Sequence, residues 1–294
     1  MKTIYALVPI KHNSQRVPGK NFRLMNGKPL YQYIIDTLKK SKYISKIYVN
    51  TDSSYLATEL QKYYPEVFVY DRPGNLIGGD VATNDLFVDM INKLHLDADY
   101  YFQTHATNPL LKVETIDDCI ETFLSKCNDY DSLFSVKQLK TRLYKKDATA
   151  LNHNIKELLP TQNLKPIYEE NSCIYIFTKD VLFNNHHRIG NNPYMYLMTD
   201  LESQDIDTEN DFVLAEILYQ NNILFLLVEG GNQFTNKMLD KNLFNEFYLI
   251  KTDNKLRQSG KLNIKKIVYK LSKKFRIKRN INQYFDKNRI TRFI

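Results

Sequence analysis

Between Lys11 and Asn21 the chain sets Lys11, Arg16 and Lys20 within ten residues, interleaved with Asn13, Ser14, Gly19 and Asn21. Cations and exposed backbone N–H groups gathered in one loop suit a polyphosphate. The loop is not a Walker A motif, because GxxxxGK[ST] is absent, and the same composition also serves a solvated basic loop. Far along the chain, Asp205 and Asp207 flank Ile206. On an extended stretch, carboxylates two residues apart point the same way. Mg²⁺ is commonly held by one or two carboxylates together with substrate phosphates. Alone, the pair reads equally well as acidic residues favoured by the dipole of a following helix. Together, the two segments supply what nucleotidyl transfer needs. A metal neutralises the triphosphate, and cations stabilise charge developing on the α-phosphate and the leaving pyrophosphate.

These segments need a frame that brings them together. Thr3–Ile10, Lys46–Thr51, Glu66–Tyr70, Asp99–Thr104, Asp131–Val136, Cys173–Phe177 and Tyr194–Met198 read as strands. Between them, Pro29–Lys40, a stretch around Tyr55–Tyr63, Thr83–Leu94, Thr115–Lys126 and Thr208–Gln220 carry apolar residues at helical spacing. Pro29 is read at a tolerated first-turn position, and Thr208 with Asp211 as a capping-box-like start. Such alternation predicts an α/β domain with a single, mostly parallel sheet and helices on both faces. Ligands then bind beyond the carboxyl ends of the strands.

The 294 residues suffice for one sizeable core plus a small appendage. No run of about 18 apolar residues suggests a membrane span, and the N-terminus reads as a buried first strand rather than a signal peptide. Cys119, Cys127 and Cys173 are too sparse for a disulfide framework or a zinc site, so reducing cytoplasm is the expected compartment. The net charge of +8 is unevenly spread: residues 251–294 carry +13 and the first 250 carry −5. Only the tail suits a polyanion or a membrane surface. Leu262–Phe275 is the stretch there that would form an amphipathic helix.

Several blocks, in order, resemble the acylneuraminate cytidylyltransferase family. These are Val8-Pro9-Ile10-Lys11 through Lys20-Asn21, Thr51-Asp52-Ser53, Arg72-Pro73 with Asp80–Thr83, and Ala106–Leu110. Gln162 through Tyr168 with Asn171 and Tyr175, then Asp205–Asp207, Asp211-Phe212 and Ala215-Glu216, continue the series. The resemblance spans roughly residues 3–220. It implies a Rossmann-like, GT-A-like nucleotidyltransferase domain over 1–220 that dimerises. It also implies transfer of CMP from CTP to an acidic sugar, a nonulosonate such as sialic acid or a relative, with release of pyrophosphate. Lys11, Ser14, Lys20 and Asn21, with Arg16 in the same loop, are the expected nucleotide contacts, as are Arg72 and Thr83. Asp205 and Asp207 are expected to hold Mg²⁺. His105, Gln162, Asn171 and Tyr175 are expected on the acceptor side. Lys20 is the expected catalytic cation; Asp207 or a water is left as the base.

Lys11, His105, Thr161 and Ser172 depart from the family pattern of Arg, Gln, Arg and Gly. Lys11 keeps the charge but loses the bidentate fork. The acceptor half departs more than the nucleotide half, so a phosphonate or a phosphorylated small molecule stays open as acceptor. So does a nucleotide-binding, polyanion-associated protein that is not an enzyme. A fainter likeness joins Leu224–Gly231 and Leu243–Leu249 to the end of riboflavin-biosynthesis reductase domains, which implies a strand–turn–helix appendage over 221–250 ahead of the basic tail at 251–294.

Overall fold

The computed structural model describes residues 2–157 and 159–221, and three strands at 247–251, 277–278 and 289–293. Its contacts divide the chain into two units, Met1–Ile223 and Leu224–Ile294.

The first unit begins with β1 (Ile4–Ile10), a hairpin of β2 (Leu24–Met25) and β3 (Lys28–Pro29), and α1 (Leu30–Lys40). β4 (Ile44–Thr51), α2 (Ser54–Tyr63), β5 (Phe68–Asp71), α3 (Thr83–Lys93), β6 (Tyr100–Gln103) and α4 (Val113–Lys126) follow. Then come β7 (Ser132–Leu139), β8 (Ile167–Phe177), α5 (Lys179–Asn185), β9 (Pro193–Leu197) and α6 (Glu209–Asn221). Seven strands form one sheet in the order β5-β4-β1-β6-β8-β7-β9. All neighbours are parallel except β8, which runs against both β6 and β7.

β1 shows why the sheet is sandwiched. Ile4, Ala6, Val8 and Ile10 enter one core with Ile34 and Leu38 of α1, Leu56 and Leu60 of α2, and Ile116, Ile120 and Phe123 of α4. Leu7, between them, enters a second core with Phe87, Met90 and Ile91 of α3 and Leu182 of α5. A strand covered on both faces loses its polar alternation and reads as a continuous apolar run. A third cluster packs Phe212 and Ala215 of α6, with Ile206, onto Met25, Leu30 and Tyr33.

The expected strands and helices of this unit are present, and the differences are local. Pro29 precedes α1 in an extended conformation rather than lying in its first turn. The β2–β3 hairpin turns on Asn26 and Gly27, both at positive φ, the Asn-Gly signature of a tight hairpin. Its Asn26 N–H donates to Glu216 Oε1 at 2.9 Å, which fastens it to α6. The added helix α5 is capped by Thr178, whose Oγ1 accepts from the Val181 N–H at 3.2 Å. β8 starts at Ile167, earlier than the apolar run from Cys173 suggests, because exposed polar residues occupy its first half.

In the second unit, β10 (Phe247–Lys251), β12 (Arg289–Phe293) and β11 (Ile277–Lys278) form an antiparallel sheet in that order. The Glu229-Gly230-Gly231 turn and the residues just after it lie outside the described residues, and Phe247–Leu249, the described end of the resembling segment, is in β10. The pairing of β10 with β12 joins segments on either side of residue 251. The candidate helix 262–275 and residues 222–246 lie outside the described residues. Among the described residues no helix is long and apolar enough to cross a membrane, and Cys119, Cys127 and Cys173 are free.

The loop after α5 is held by Asp131, whose Oδ2 accepts from the N–H groups of Asn191 (2.7 Å) and Asn192 (3.0 Å). A Cβ at Gly190 would fall on the Asp131 carboxylate. Gly190→Ala should therefore lower stability by about 1–3 kcal/mol, the usual range for overpacking. Urea denaturation checks this, and an unchanged midpoint would show that the loop gives way freely.

Candidate active site

The parallel strands deliver their carboxyl ends to one rim of the sheet. Lys11 follows β1, Asp52 and Ser53 follow β4, Arg72 follows β5, and His105 lies two residues beyond β6. β8 runs the other way, so its beginning, Glu169 to Ser172, reaches the same rim. Asp205 and Asp207 lie between β9 and α6. The topology thus gathers residues spread over about two hundred positions.

The first loop is braced from within and from β4. The Ser14 Oγ accepts from the Val17 N–H at 3.2 Å, and Gly19 takes φ 63 before a turn at Lys20–Phe22. The left-handed conformation there costs glycine little. The His12 N–H donates to Asp52 Oδ1 at 2.6 Å, and its ring meets Ser53 Oγ at 2.7 Å. Asn21 is buried, and its Nδ2 donates to the Lys11 carbonyl at 2.8 Å. Lys11 is exposed and donates to the Gly78 carbonyl at 3.0 Å.

Lys20 is turned inward. It is 8% exposed, donates to the Ile206 carbonyl, and lies 3.8 Å from Asp207 Oδ1. Burial lowers its pKa, while the Asp205 and Asp207 carboxylates pull the other way. Arg16 reaches the same Asp207 Oδ1 at 2.6 Å. Ile206 is buried, and its N–H donates to the Thr107 carbonyl at 3.0 Å, which ties the aspartate segment to the loop after β6. The capping box is formed: Asp211 Oδ2 accepts from the N–H groups of Asp207 (3.1 Å) and Thr208 (2.7 Å), and Thr208 Oγ1 accepts from the Asp211 N–H.

A cavity of about 300 Å³ opens beside this pair. Asp205 and Asp207 line it together with Asn171, Ser172, Glu169, Glu170, Lys137 and Gln204. β8 bulges opposite Ser135 of β7, between the pairs Phe134–Tyr175 and Val136–Glu170. Ser135 Oγ closes the bulge by donating to Asn171 Oδ1 at 2.5 Å and accepting from the Ile174 N–H at 2.8 Å. Bulges re-aim side chains, and this one turns Asn171 to the cavity. Ser172 there adopts φ 56. That left-handed conformation is one glycine takes at little cost, and it is the position where the expected pattern has glycine.

A family model described as cytidylyltransferase matches residues 5–232. The chain belongs to the cytidylyltransferase family. It is 27% identical over 231 residues to the post-translational flagellin modification protein B of Campylobacter coli, covering 74% of this chain and 95% of that protein. It is 29% identical to a CMP-N,N'-diacetyllegionaminic acid synthase of Legionella pneumophila, covering 74% of this chain and 97% of that one. Among solved structures, a CMP:2-keto-3-deoxy-manno-octonic acid synthetase complexed with CTP shares the fold, with a TM-score of 0.55 at 14% identity. That match covers 75% of this chain and all of the other. The architecture is that of a nucleotidyltransferase.

In this cytidylyltransferase the remaining expected residues are distributed unevenly. Arg72 is 4% exposed and holds Asn50, with Nε donating to Oδ1 at 2.7 Å and Nη2 to the carbonyl at 3.1 Å. It braces β4 from inside. Thr83 opens α3. Gln162 is exposed in a short turn at Thr161–Asn163 and does not line the cavity. Tyr175 is buried and its hydroxyl donates to Glu170, so it supports the bulge from behind.

Asp205 and Asp207 fit a hard cation. Asp205 Oδ1 is shut from solvent without a hydrogen-bond partner, and burial raises the pKa of this carboxyl. An orphaned buried acceptor is costly unless a ligand completes it. Among the described residues no group of three or more protein ligands gathers around a metal position. Two carboxylates completed by phosphate oxygens is the arrangement Mg²⁺ commonly takes.

Sequence reasoning missed Glu169, Glu170, Gln103 and Arg188. The first two hide in a polar half-strand, and Gln103 ends a core strand. Arg188 lies in an irregular stretch with no periodicity to flag it.

His105 meets the Gln103 amide nitrogen at 2.8 Å through its Nε2. Burial, and then the Arg188 and Lys20 charges, lower its pKa from 6.5 to about 4. The ring is therefore neutral throughout the physiological range. In the unfolded chain it protonates near 6.5, so protons favour unfolding as pH falls from about 6.5 toward 4. Wild-type stability should decline across that window, and His105→Gln should decline less. Ring proton shifts measured by NMR from pH 8 to 4 test the assignment, and a His105 titration near 6.5 contradicts it.

Proposed function

We propose that this cytidylyltransferase transfers CMP from CTP to an acidic sugar of the nonulosonate type, releasing pyrophosphate. The observation that carries the reading is the meeting of Lys20 with the Asp205–Asp207 segment beside a polar cavity, at the rim where the strands end. Relatives named as legionaminic acid synthases and N-acylneuraminate cytidylyltransferases support the acceptor class.

On this reading, Lys11, Ser14, Arg16 and Asn21 form the nucleotide loop, and Lys20 supplies positive charge at the α- and β-phosphates. Arg72 and Thr83 position the loops that hold the nucleotide. Asp205 and Asp207 hold Mg²⁺, which when bound neutralises charge on the triphosphate. Arg16, which pairs with Asp207 in this structure, would then be available to a phosphate. The acceptor lies toward His105 and Asn171, with Tyr175 and Gln162 behind and beyond it. Its hydroxyl attacks the α-phosphate, and Asp207 or a water takes the proton. Positioning and charge stabilisation supply most of the acceleration.

The protein acts as a homodimer in the cytoplasm, in nucleotide-sugar synthesis for surface polysaccharide. Exposed Leu151 and Ile155 on the segment between β7 and β8 support the dimer. Free cysteines support a reducing compartment. The +13 charge of residues 251–294 supports contact with polyanions or an anionic membrane surface. Full-length protein should sediment with anionic vesicles at low salt and be released at high salt. Failure to bind them at low salt removes the membrane proposal.

Pyrophosphate release, measured with each NTP against a panel of acidic sugars and phosphonates, tests the main reading. CTP with a nonulosonate should be the productive pair, and EDTA should abolish turnover. Asp207→Asn should cut turnover roughly 10²-fold or more, as for loss of a main electrostatic stabiliser. His105→Gln should alter the acceptor KM far more than the CTP KM. Full activity in EDTA sinks the metal assignment, and equal effects on both substrates move His105 out of the acceptor site.

A further inference from the structure

The loop between β1 and β2 is closed at its neck by two neighbouring contacts, and His12 makes one of them. Asn21 Nδ2 donates to the Lys11 carbonyl at 2.8 Å, and the His12 and Phe22 rings lie 5.3 Å apart, centre to centre, at 50°. The segment that this neck closes carries Ser14, Arg16 and Lys20. Phe22 ends the short turn that begins at Lys20, and its N–H donates to the Gly19 carbonyl at 2.9 Å. Phe22 also packs edge-on against Tyr31 and Tyr55, with ring centres 6.4 and 5.4 Å away.

His12 also ties this neck to the junction of β4 and α2. Its N–H donates to Asp52 Oδ1 at 2.6 Å, and its Nδ1 meets Ser53 Oγ at 2.7 Å. Ser53 is itself fixed. It is 2% exposed and caps α2, its Oγ accepting from the Leu56 N–H at 3.1 Å. That bond uses one lone pair, so the hydroxyl keeps its O–H and a second lone pair for the imidazole. The backbone, ring nitrogen and ring face of one residue thus engage three partners, Asp52, Ser53 and Phe22. Through Phe22 the contact reaches the turn whose first residue is Lys20. A side chain locked by packing and hydrogen bonds can hold its neighbours to the tolerance a binding site needs.

We propose that His12 is a positioning residue for the triphosphate. It sets where the loop holds Lys20 and the backbone N–H groups around it, and it touches no reacting atom itself. This rests on the reading above that the loop takes the nucleotide. Small displacements of a positioned cation are costly to binding and turnover. The role is specific to phosphate: loosening the neck weakens the grip on CTP and leaves cytidine, which has no phosphate, as it was.

The test uses the full chain as wild type, His12→Phe, His12→Asn and His12→Ala. His12→Phe keeps a ring against Phe22 and loses the bond to Ser53. His12→Asn keeps a polar atom near the Nδ1 position and loses the ring. Calorimetric titration with CTP and Mg²⁺ gives the CTP Kd, and competition against CTP gives that of cytidine. CTP affinity should fall about two- to tenfold in His12→Phe and in His12→Asn, the net worth of one hydrogen bond, and further in His12→Ala. Cytidine affinity should not change. Where cytidine does not compete, CMP takes its place, and its loss should be smaller than that of CTP. Unchanged CTP affinity in His12→Ala, or equal losses for CTP and the competitor, overturns the proposal. If His12→Ala does not fold, the CTP-to-competitor ratios of the other two variants decide on the same terms. Wild type that binds no CTP defeats the nucleotide reading of the loop itself, whereas CTP binding that every variant keeps defeats only His12.

Discussion

The Lys20 ammonium, buried against the Ile206 carbonyl and the Asp207 carboxylate, is the contact on which the site depends. It joins positions 186 residues apart. A lysine is seldom buried without a counter-charge, because desolvation disfavours its charged form. Here two carboxylates offset part of that penalty, and burial still lowers the pKa. The loop after β1 and the segment before α6 therefore stand or fall together. The third hydrophobic cluster serves the same junction, since Ile206 and Phe212 pack on Met25 and Tyr33 beneath it. Asn26, in the intervening hairpin, binds Glu216 of α6 and prevents the two sides from separating.

That junction also explains the electrostatics of the site: Arg16 and Lys20 both point to Asp207. In the proposed function, phosphates would take over Arg16 and Lys20, and a divalent cation would be held by the two carboxylates. The Arg16–Asp207 pair is largely exposed, and exposed pairs are worth little, so the exchange is cheap there. Lys20, by contrast, is buried.

The sequence showed the frame and the segments Lys11–Asn21 and Asp205–Asp207 more fully than the first half of β8, for physical reasons. Strands covered on both faces, such as β1, betray themselves by unbroken apolar runs, and helices such as α4 by their spacing. The loop Lys11–Asn21 and the Asp205–Asp207 pair are contiguous, so composition alone singles them out. The hairpin at Asn26-Gly27 carried a legible signal in its dipeptide. The first half of β8 did not, because Tyr168, Glu169 and Glu170 are exposed and carry no apolar pattern. Arg188 was invisible for another reason. Its environment comes from Asn84 and Tyr175, neither of them near it in the chain, and no local pattern encodes that meeting. Tyr175, a motif position, is buried with its hydroxyl on Glu170.

The two halves of the rim are also built differently. The side proposed for the nucleotide rests on the ends of parallel strands, and the side proposed for the acceptor on the one reversed strand, its bulge opposite Ser135, and a loop pinned by Asp131. Bulges and pinned loops tolerate change in side chains as long as the pins remain. Ser172 illustrates this: it accepts a positive φ because Ser135 and Asn171 close the bulge around it. On the proposed function, side chains such as His105 and Ser172 could change while Lys20 and the Asp205–Asp207 segment stay where the sheet puts them. Of the four departures from the familiar pattern, Ser172 sits on the reversed strand and Thr161 in the segment before it, whereas Lys11 and His105 follow the parallel strands β1 and β6.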